Sequence, residues 1–365
     1  MSSDERAEIA RKYTGLGLKR DKAILIAQIT KHKYYYQPTK ERKHIGRKAT
    51  TTTQRGHSVV PNEDVIGQIK CLKEDPITDY GYRMMTSQLK LEGYNINHKK
   101  VFRLMKEADL LQEKRKVSDK NYVKYRCVCP ERPLQVLEMD IKMVWVTEHR
   151  RHAYILSIID TFTRVILDWS VGYQMDQKMV IKAWERVIEN YLQPNDLLKQ
   201  DLHVELRNDN GSQFSAKSVQ EFLRENSVHQ TFTHPYTPQE NGHIESFHSI
   251  LKKGLGQEPF WNLEELRERL EVFYEKYNNV RLHGSIAHLS PNLFWKAWEY
   301  DLIERTVINE RKVKFRLTVP HSQLSGIMSQ REVLCSNMPT LNGEGYLNED
   351  VNGPNTPNSL QPSVN

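Results

Sequence analysis

The chain has 365 residues, of which 38% are apolar, 9% aromatic and 27% charged. That is enough apolar material for buried cores, so a wholly disordered chain is excluded, and the length suggests two or three domains. The net charge of +7 is uneven: residues 1–126 hold 28 Lys and Arg against 15 Asp and Glu, residues 127–365 hold 25 against 31, or +13 followed by −6. A basic half joined to an acidic half suggests a polyanion-binding module, with nucleic acid the usual polyanion.

No run of about 18 apolar residues occurs, so no membrane span or membrane partner is expected. The opening MSSDERAEIARKYTG lacks the charged-then-apolar pattern of a secretion signal. Four cysteines (Cys71, Cys127, Cys129, Cys335) read as cytosolic thiols, and a cytoplasmic location is expected. Cys127-x-Cys129 lacks a second ligand pair, so no structural zinc is expected.

In chain order, residues 5–12 and 20–29 read as short helices, the second with Ile24, Ile26, Ala27 and Ile29 apolar. The basic, aromatic KHKYYYQPTK follows, and Pro38 ends any helix there. This pair is a weak helix-turn-helix candidate. Residues 40–60 are basic, Thr-rich and without periodicity, and read as a linker that also touches phosphates. Residues 62–73 carry Val65, Ile66, Ile69 and Leu72 at helical spacing. The stretch 80–111 gives two helices joined at Gly93. The second has Val101, Leu104 and Met105 on one side and His98, Lys99, Lys100, Arg103 and Lys106 around it. Helix, Gly turn, basic helix is the stronger helix-turn-helix candidate, and Lys99, Lys100, Arg103 and Lys106 are its predicted DNA contacts. A helical linker with a solvated basic face is the plain alternative.

From about residue 130 the texture changes. VLEMDIKMVWV (136–146) alternates, with Leu137, Met139, Ile141, Met143 and Trp145 on one face and Glu138, Asp140 and Lys142 on the other. AYILSIID (153–160) and RVILDWSVG (164–172) complete a three-strand antiparallel meander. A strong amphipathic helix follows (Met179 to Tyr191), then a strand at 203–209, a helix capped by Ser215, a strand at 229–234, the turn-rich PYTPQENG, a helix at 242–255 and a last helix capped by Asn262. This order predicts a mixed sheet with helices on its faces. Residues 312–319 alternate as one more strand. Residues 336–365 are rich in Asn, Pro, Gly and Ser and are expected to be disordered. The expected domains are 1–60, 61–126, 127–300 and an extension, 301–365.

Three acids stand out by position. Asp140 sits mid-strand on a polar face. Asp209 ends a strand at NDNGSQF. Glu245 lies on the helix after PYTPQENGH. On that helix Ile244, Phe247, Leu251 and Leu255 form the buried stripe, and Asn241, Glu245, His248 and Lys252 a second stripe beside it. Carboxylates from separate elements suit Mg²⁺, which takes oxygen ligands and is completed by substrate phosphates. Two such ions stabilise both the attacking and the leaving oxygen of a phosphoryl transfer. Lys252, two turns beyond Glu245, is placed to grip a phosphate. Each acid taken singly is ordinary for its setting.

EMDIKMVWV, IIDTFTRVILDWSVG, NDNGSQF, HPYTPQENGHIESFHSILK and YNNVRLHGSIAHLSP together resemble the integrase core of insertion-sequence transposases. The likeness is nearest the orfB proteins of the IS-three type, with retroviral integrases more distant. It spans roughly residues 80–298, with weaker similarity over 5–40, and the 35 residues between Asp209 and Glu245 match the spacing of that family's Asp-Asp-Glu triad. The resemblance implies an RNase H-like five-stranded sheet and a DNA strand-transfer reaction with Mg²⁺ or Mn²⁺, as two ions when DNA is bound. It makes Asp140, Asp209 and Glu245 catalytic metal ligands, matches Lys252 to the family's basic residue, and matches Asn241 and Gly242 to the turn entering the catalytic helix. Its implied partners are element ends and target DNA, a homo-oligomer on DNA, and an upstream orfA-type protein. HPYTPQENG lies nearer the integrase branch than many orfB proteins, and no His-His-Cys-Cys zinc module precedes the core.

Two other functions remain open: a metal-dependent nuclease of the same fold that does not join strands, and a DNA-binding regulator without catalysis. Of the remaining residues, His248 reads as a surface histidine, His283 as a packing or hydrogen-bonding residue of the last helix, Asp160 and Arg164 as a pair across a turn, and Trp145 and Trp169 as core or sheet-face residues.

Overall fold

A computed structural model describes residues 2–36, 50–112, 128–198, 203–234, 238–309 and 312–334. The Asn-rich tail, Cys127, Cys335 and residues 40–49 of the expected 40–60 linker lie outside these. The chain divides into two compact units, Met1–Thr51 and Thr52–Asn365.

The first unit holds three helices, α1 (Ser3–Gly15), α2 (Arg20–Ile26) and α3 (Lys31–Tyr35). Ser2 and Glu5 form a reciprocal capping box that starts α1, and the Thr30 side chain caps α3. Arg11 Nε donates to the Tyr34 carbonyl and ties α1 to α3. The second helix is shorter than expected, and Ile26, read as one of its apolar positions, is 65% exposed. Ala23 is the buried residue of that helix instead.

The second unit begins with a hairpin, β1 (Thr52–Arg55) and β2 (Ser58–Pro61), whose first strand also pairs with the short β3 (Tyr94–Asn95). Residues 52–60 are therefore not linker. They are held by strand pairing and by a buried hydrogen bond from Thr53 Oγ1 to Asn62 Oδ1. Three helices complete this module: α4 (Asn62–Glu74), α5 (Tyr82–Leu91) and α6 (His98–Glu107). Gly93 joins α5 to the last strand at φ +88°, a conformation that favours glycine. Val65, Ile69, Met85, Leu89, Val101, Leu104 and Met105 close its core, at the helical spacings expected.

The main sheet has five strands in the order β6-β5-β4-β7-β8: β4 (Val136–Val146), β5 (Arg151–Asp160), β6 (Ile166–Gly172), β7 (Val204–Asn208) and β8 (Val228–Phe232). The first three are antiparallel neighbours, and β4, β7 and β8 run parallel. This is the RNase H-like mixed sheet, and the meander is where the alternating sequence put it. One face packs on α7 (Gln177–Val187), which runs on as a π-turn to Leu192, and on α8 (Lys217–Glu225), burying Leu137, Met139, Leu156, Ile158, Val180, Trp184 and Leu223. The other packs on α9 (Gly242–Leu255) and α10 (Leu263–Asn279), burying Ile155, Ile159, Ile244, Phe247, Leu251, Leu270 and Tyr274.

Beyond Ile141 the apolar face of β4 loses its cover. Met143 is 58% exposed and Trp145 44% exposed, so Trp145, read as a core or sheet-face residue, is the latter and rests edge-on against His152. Trp169 stacks on Tyr274, as a sheet-face residue should. Ser215 does not cap α8, which starts one residue too late: its Ncap is Ala216, without a side-chain bond. Asn262 does cap α10, accepting from Glu265 N–H. Asn278 on α10 fastens the edge strand β6, accepting from Ile166 N–H and donating to Ile166 C=O. After residue 290 come α11 (Pro291–Glu299), the hairpin β9 (Ile303–Asn309) and β10 (Lys312–Leu317), and α12 (His321–Leu334). They form a further core with Phe162, Ile286, Phe294 and Leu324, so the fading sequence signal there conceals packed structure.

The helical module is tied to the sheet domain by polar contacts. Asp79 binds Lys73 in its own module and Lys253 on α9, the latter at 2.9 Å. Asp75 binds Lys276 on α10 at 2.7 Å, Arg281 donates to the Ile77 carbonyl, and Leu282 N–H donates to Tyr80 Oη. Burial pushes the Asp79 carboxyl up, but hydrogen bonds from Lys73, Lys253 and Gln112 outweigh it and hold the group at about 2. A carboxylate lowered in the fold stabilises above its unfolded value, near 3.8, and that contribution fades as pH falls towards 2. Asp79→Asn is therefore expected to be less stable than the parent in urea at pH 5, with the gap closing between pH 4 and pH 2. A gap that stays constant across that range would remove Asp79 from the account.

Candidate active site

Asp140 lies midway along β4, and Asp209 lies directly after β7. These strands are parallel neighbours whose last registered pair is Glu138 with Arg207, so the two acids stand two residues beyond it on both strands. Glu245 is in the first turn of α9, which crosses the face of β4 and β5. The three acids thus come from three parts of the core: Asp140 from within a strand, Glu245 from the first turn of a helix and Asp209 from the turn after a strand. Fixed positions on rigid elements suit a functional site better than loop positions do.

The acids are not equally engaged. Asp140 Oδ1 accepts from Ile141 N–H, and its Oδ2 lies 3.4 Å from His248 Nδ1. Asp209 Oδ1 accepts from Gly211 N–H in a tight turn. Burial, then the charges of Asp140 and Glu138, push the Glu245 carboxyl above its ordinary value. Asp140 and Glu245 are therefore close enough to repel one another. Among the described residues no group of three or more His, Cys, Asp and Glu side chains is gathered closely enough to hold a metal ion. Asp209 stays in its own turn. The donor set still fits a hard divalent cation: it is all carboxylate oxygen, and both the burial and the neighbouring negative charge that lift Glu245 are offset by such an ion.

His248 differs from expectation. It is buried, not a surface residue, and stands against Asp140 with its Nε2 unpartnered. The rotation of α9 that exposes Glu245 turns His248 inward towards β4. Lys252 is exposed two turns beyond Glu245. Asn241 is the residue preceding α9, without a side-chain capping bond.

Sequence inspection missed Glu138. Grouped with the polar face of β4, it is in fact fully buried. Its carboxylate accepts from His243 N–H at 3.0 Å, from Ile244 N–H at 2.8 Å, and lies 2.7 Å from His243 Nδ1. Two of the free amides that every helix N-terminus leaves are thereby satisfied from the neighbouring strand. Burial pushes Glu138 up to about 7, against the opposing pull of the Ile244 amide and the cations Arg164 and Arg207. A sequence signal existed: an acid at an interior strand position, two residues before Asp140. Asp160, expected to pair with Arg164, instead accepts from Leu134, Phe162 and Thr163 N–H and from Thr163 Oγ1. Arg164 hydrogen-bonds residue 160 through its backbone N–H, at the Asp160 carbonyl, and its guanidinium feels the Asp160 charge without a hydrogen bond to that carboxylate.

In the helical module, α6 starts at Asn97, whose side chain caps it. Lys99 and Lys106 are exposed. Lys100 Nζ donates to the Thr52 carbonyl, and Arg103 pairs with Glu107 at 3.7 Å. The expected row of four cations is thus split into two exposed and two engaged within the module.

Integrase core domain models match residues 130–238 and 226–291, and an HTH-like domain model matches residues 62–117. The putative transposase InsK for insertion sequence element IS150 of Escherichia coli K12 is 28% identical over 224 residues, 58% of this chain and 76% of that protein. An uncharacterized 31.7 kDa protein of insertion element IS407 from Burkholderia multivorans is 25% identical over 217 residues, 59% of this chain and 75% of that one. Among solved structures, the catalytic core domain of BIV integrase is similar over 46% of this chain and 97% of that chain, with 17% identity and a TM-score of 0.33. Residues 130–291 thus carry an integrase core domain preceded by an HTH-like domain, and the chain is similar to insertion-sequence transposases of the IS-three type.

The grip of Glu138 on α9 has a measurable cost of removal. Glu138→Ala strands two buried amides and is expected to lose about 2–4 kcal/mol in urea unfolding. Glu138→Gln keeps one acceptor oxygen and is expected to lose less. Equal stabilities for parent, Ala and Gln variants would show that the carboxylate does not hold the helix.

Proposed function

We propose that this protein is a transposase that frees the 3′ ends of a mobile DNA element and joins them to target DNA. The observation that supports the reading most is the integrase core match over residues 130–291, within which Asp140 lies on β4, Asp209 directly after its parallel neighbour β7 and Glu245 on the helix across the sheet. Asp140, Asp209 and Glu245 would hold Mg²⁺ or Mn²⁺, as two ions with DNA bound, and bound ions would supply charge stabilisation at the attacked phosphate. The other residues hold and orient. His248 sets the Asp140 carboxylate from behind. Lys252, exposed on the outer face of α9, meets a backbone phosphate. Lys99 and Lys106 on α6 meet the DNA presented by the helical module, in the manner of a recognition helix.

The proposed division of labour keeps residues 1–126 for DNA binding, 127–300 for chemistry and 301–365 as an extension packed on the core as far as α12. One triad serves one scissile phosphate at a time, so paired ends call for at least two copies on DNA. An orfA-type partner is compatible with this scheme. No helix among the described residues is long and apolar enough to cross a membrane.

Asp140→Ala, Asp209→Ala and Glu245→Ala are each expected to lower both cleavage and joining about a thousandfold or more while DNA binding survives. The assay is incubation with Mg²⁺ and an element-end duplex, with chelation as the metal-free control. Cut products without joined products would mark a nuclease, and bound but intact DNA a regulator. Near-parental activity in any variant would remove that residue from the site. Lys99→Glu with Lys106→Glu is expected to weaken DNA binding and to lower its log–log salt slope by about 1.8, two phosphate contacts at about 0.9 each. An unchanged slope would move the DNA interface off α6.

A further inference from the structure

Behind the first two turns of α9 lies a cavity of about 200 Å³, lined by Arg164, Gly242, His243, Ser246, Phe247, Ile250, Tyr277, His283 and Ser285. Gly242, Ser246 and Ser285 are exposed and form an open rim, and Phe247 and Tyr277 are buried. No side chain in the lining is a carboxylate.

Two buried polar atoms of lining residues have no hydrogen-bond partner: Arg164 Nη1 and His283 Nε2. Buried polar atoms without partners are rare and costly, more so on a charged group. Burial, followed by the cations Arg281 and Arg164, drives the His283 imidazole down to about 3, so the ring is neutral. Arg164 is further held at φ +69°, a left-handed backbone that residues with side chains rarely adopt. Strain of this kind persists where the surrounding fold imposes it, and it gathers at functional sites. The balancing acid, Glu138, is occupied by the α9 amides and by His243. A guanidinium with a free fork nitrogen, a neutral imidazole and two rim hydroxyls make a donor set suited to a tetrahedral oxyanion.

We propose that this cavity is an oxyanion-binding site that takes a phosphate group, with Arg164 and His283 at its floor and Ser246 and Ser285 at its rim. A backbone phosphate of DNA and free inorganic phosphate share that chemistry. The DNA source rests on the function proposed above, and the oxyanion chemistry does not. Ser246 follows Glu245 directly, so a strand lying over Glu245 passes the rim of the cavity.

The test uses the full chain. Its thermal unfolding midpoint is followed against inorganic phosphate at constant ionic strength balanced with chloride, and the salt dependence of duplex binding is measured separately. Arg164→Gln removes the floor cation. Ser285→Asp places a carboxylate at the exposed rim and keeps the test open if the buried Arg164 variant does not fold. Ser249→Asp, exposed on α9 outside the cavity, controls for added charge. The parent is expected to be stabilised by phosphate beyond chloride. Ser285→Asp is expected to weaken the phosphate response roughly tenfold or more, and Ser249→Asp to preserve it. If DNA supplies the phosphate, Ser285→Asp also lowers the log–log salt slope by about 0.9 and Ser249→Asp does not. A phosphate response lost in Ser285→Asp without a change of slope supports a free oxyanion as occupant. Phosphate response in a parent that binds no DNA would overturn the proposed function and leave the site standing. No phosphate response beyond chloride, with equal slopes in parent and Ser285→Asp, overturns the site.

Discussion

The position of helix α9 depends on one buried carboxylate. Glu138 reaches from β4 to the first amides of the helix, and helix amides bind anions well because their partial charges point outward unpaired. The strand that supplies Asp140 thereby also sets the height and rotation of the helix that supplies Glu245. Two catalytic candidates are referenced to a single strand through a contact about 3 Å long. A shift of α9 along its axis would break these bonds before it moved Glu245 by one turn.

That arrangement concentrates charge. Glu138, Asp140 and Glu245 act on one another near the start of the helix, with Arg164 and Arg207 opposing the charge of Glu138. The fold tolerates the cluster because the cations stand on different elements: Arg164 in the turn after β5 and Arg207 on β7. The far end of α9 is handled differently. Lys253 is bound by Asp79 of the helical module, so the same helix touches the sheet at its start and the DNA-binding candidate near its end.

Much of this architecture was legible in the sequence, because it rests on periodicity. The strict alternation of 136–146 gave β4 its full length, and the Gly93 turn between two amphipathic segments gave the α5 and α6 pair. The failures have a common physical cause. Alternation reports which residues share a face, not whether a neighbour covers that face. Met143 and Trp145 look like core and stand uncovered, whereas Glu138 and His248 look solvated and are buried. Glu138 is buried under the start of α9, 105 residues on in sequence, and His248 lies on α9 against Asp140 of β4, so neither burial shows before the helix meets the strand. The hairpin at 52–61 was hidden for another reason. Its strands are four residues long, mostly exposed and rich in Thr, too short for a period-2 pattern to stand out from a polar loop.

The clasp between Asn278 and Ile166 bears on how copies of this chain can meet. Strand β6 is an outer strand of the five-stranded sheet, and an outer strand normally offers its backbone to any strand that arrives. Here one amide side chain occupies both polar groups of Ile166. A strand seeking to extend the sheet along this border must first displace a bidentate lock rather than water. Continuation of this sheet into a second copy is thus discouraged at the β6 border, one of its two outer edges.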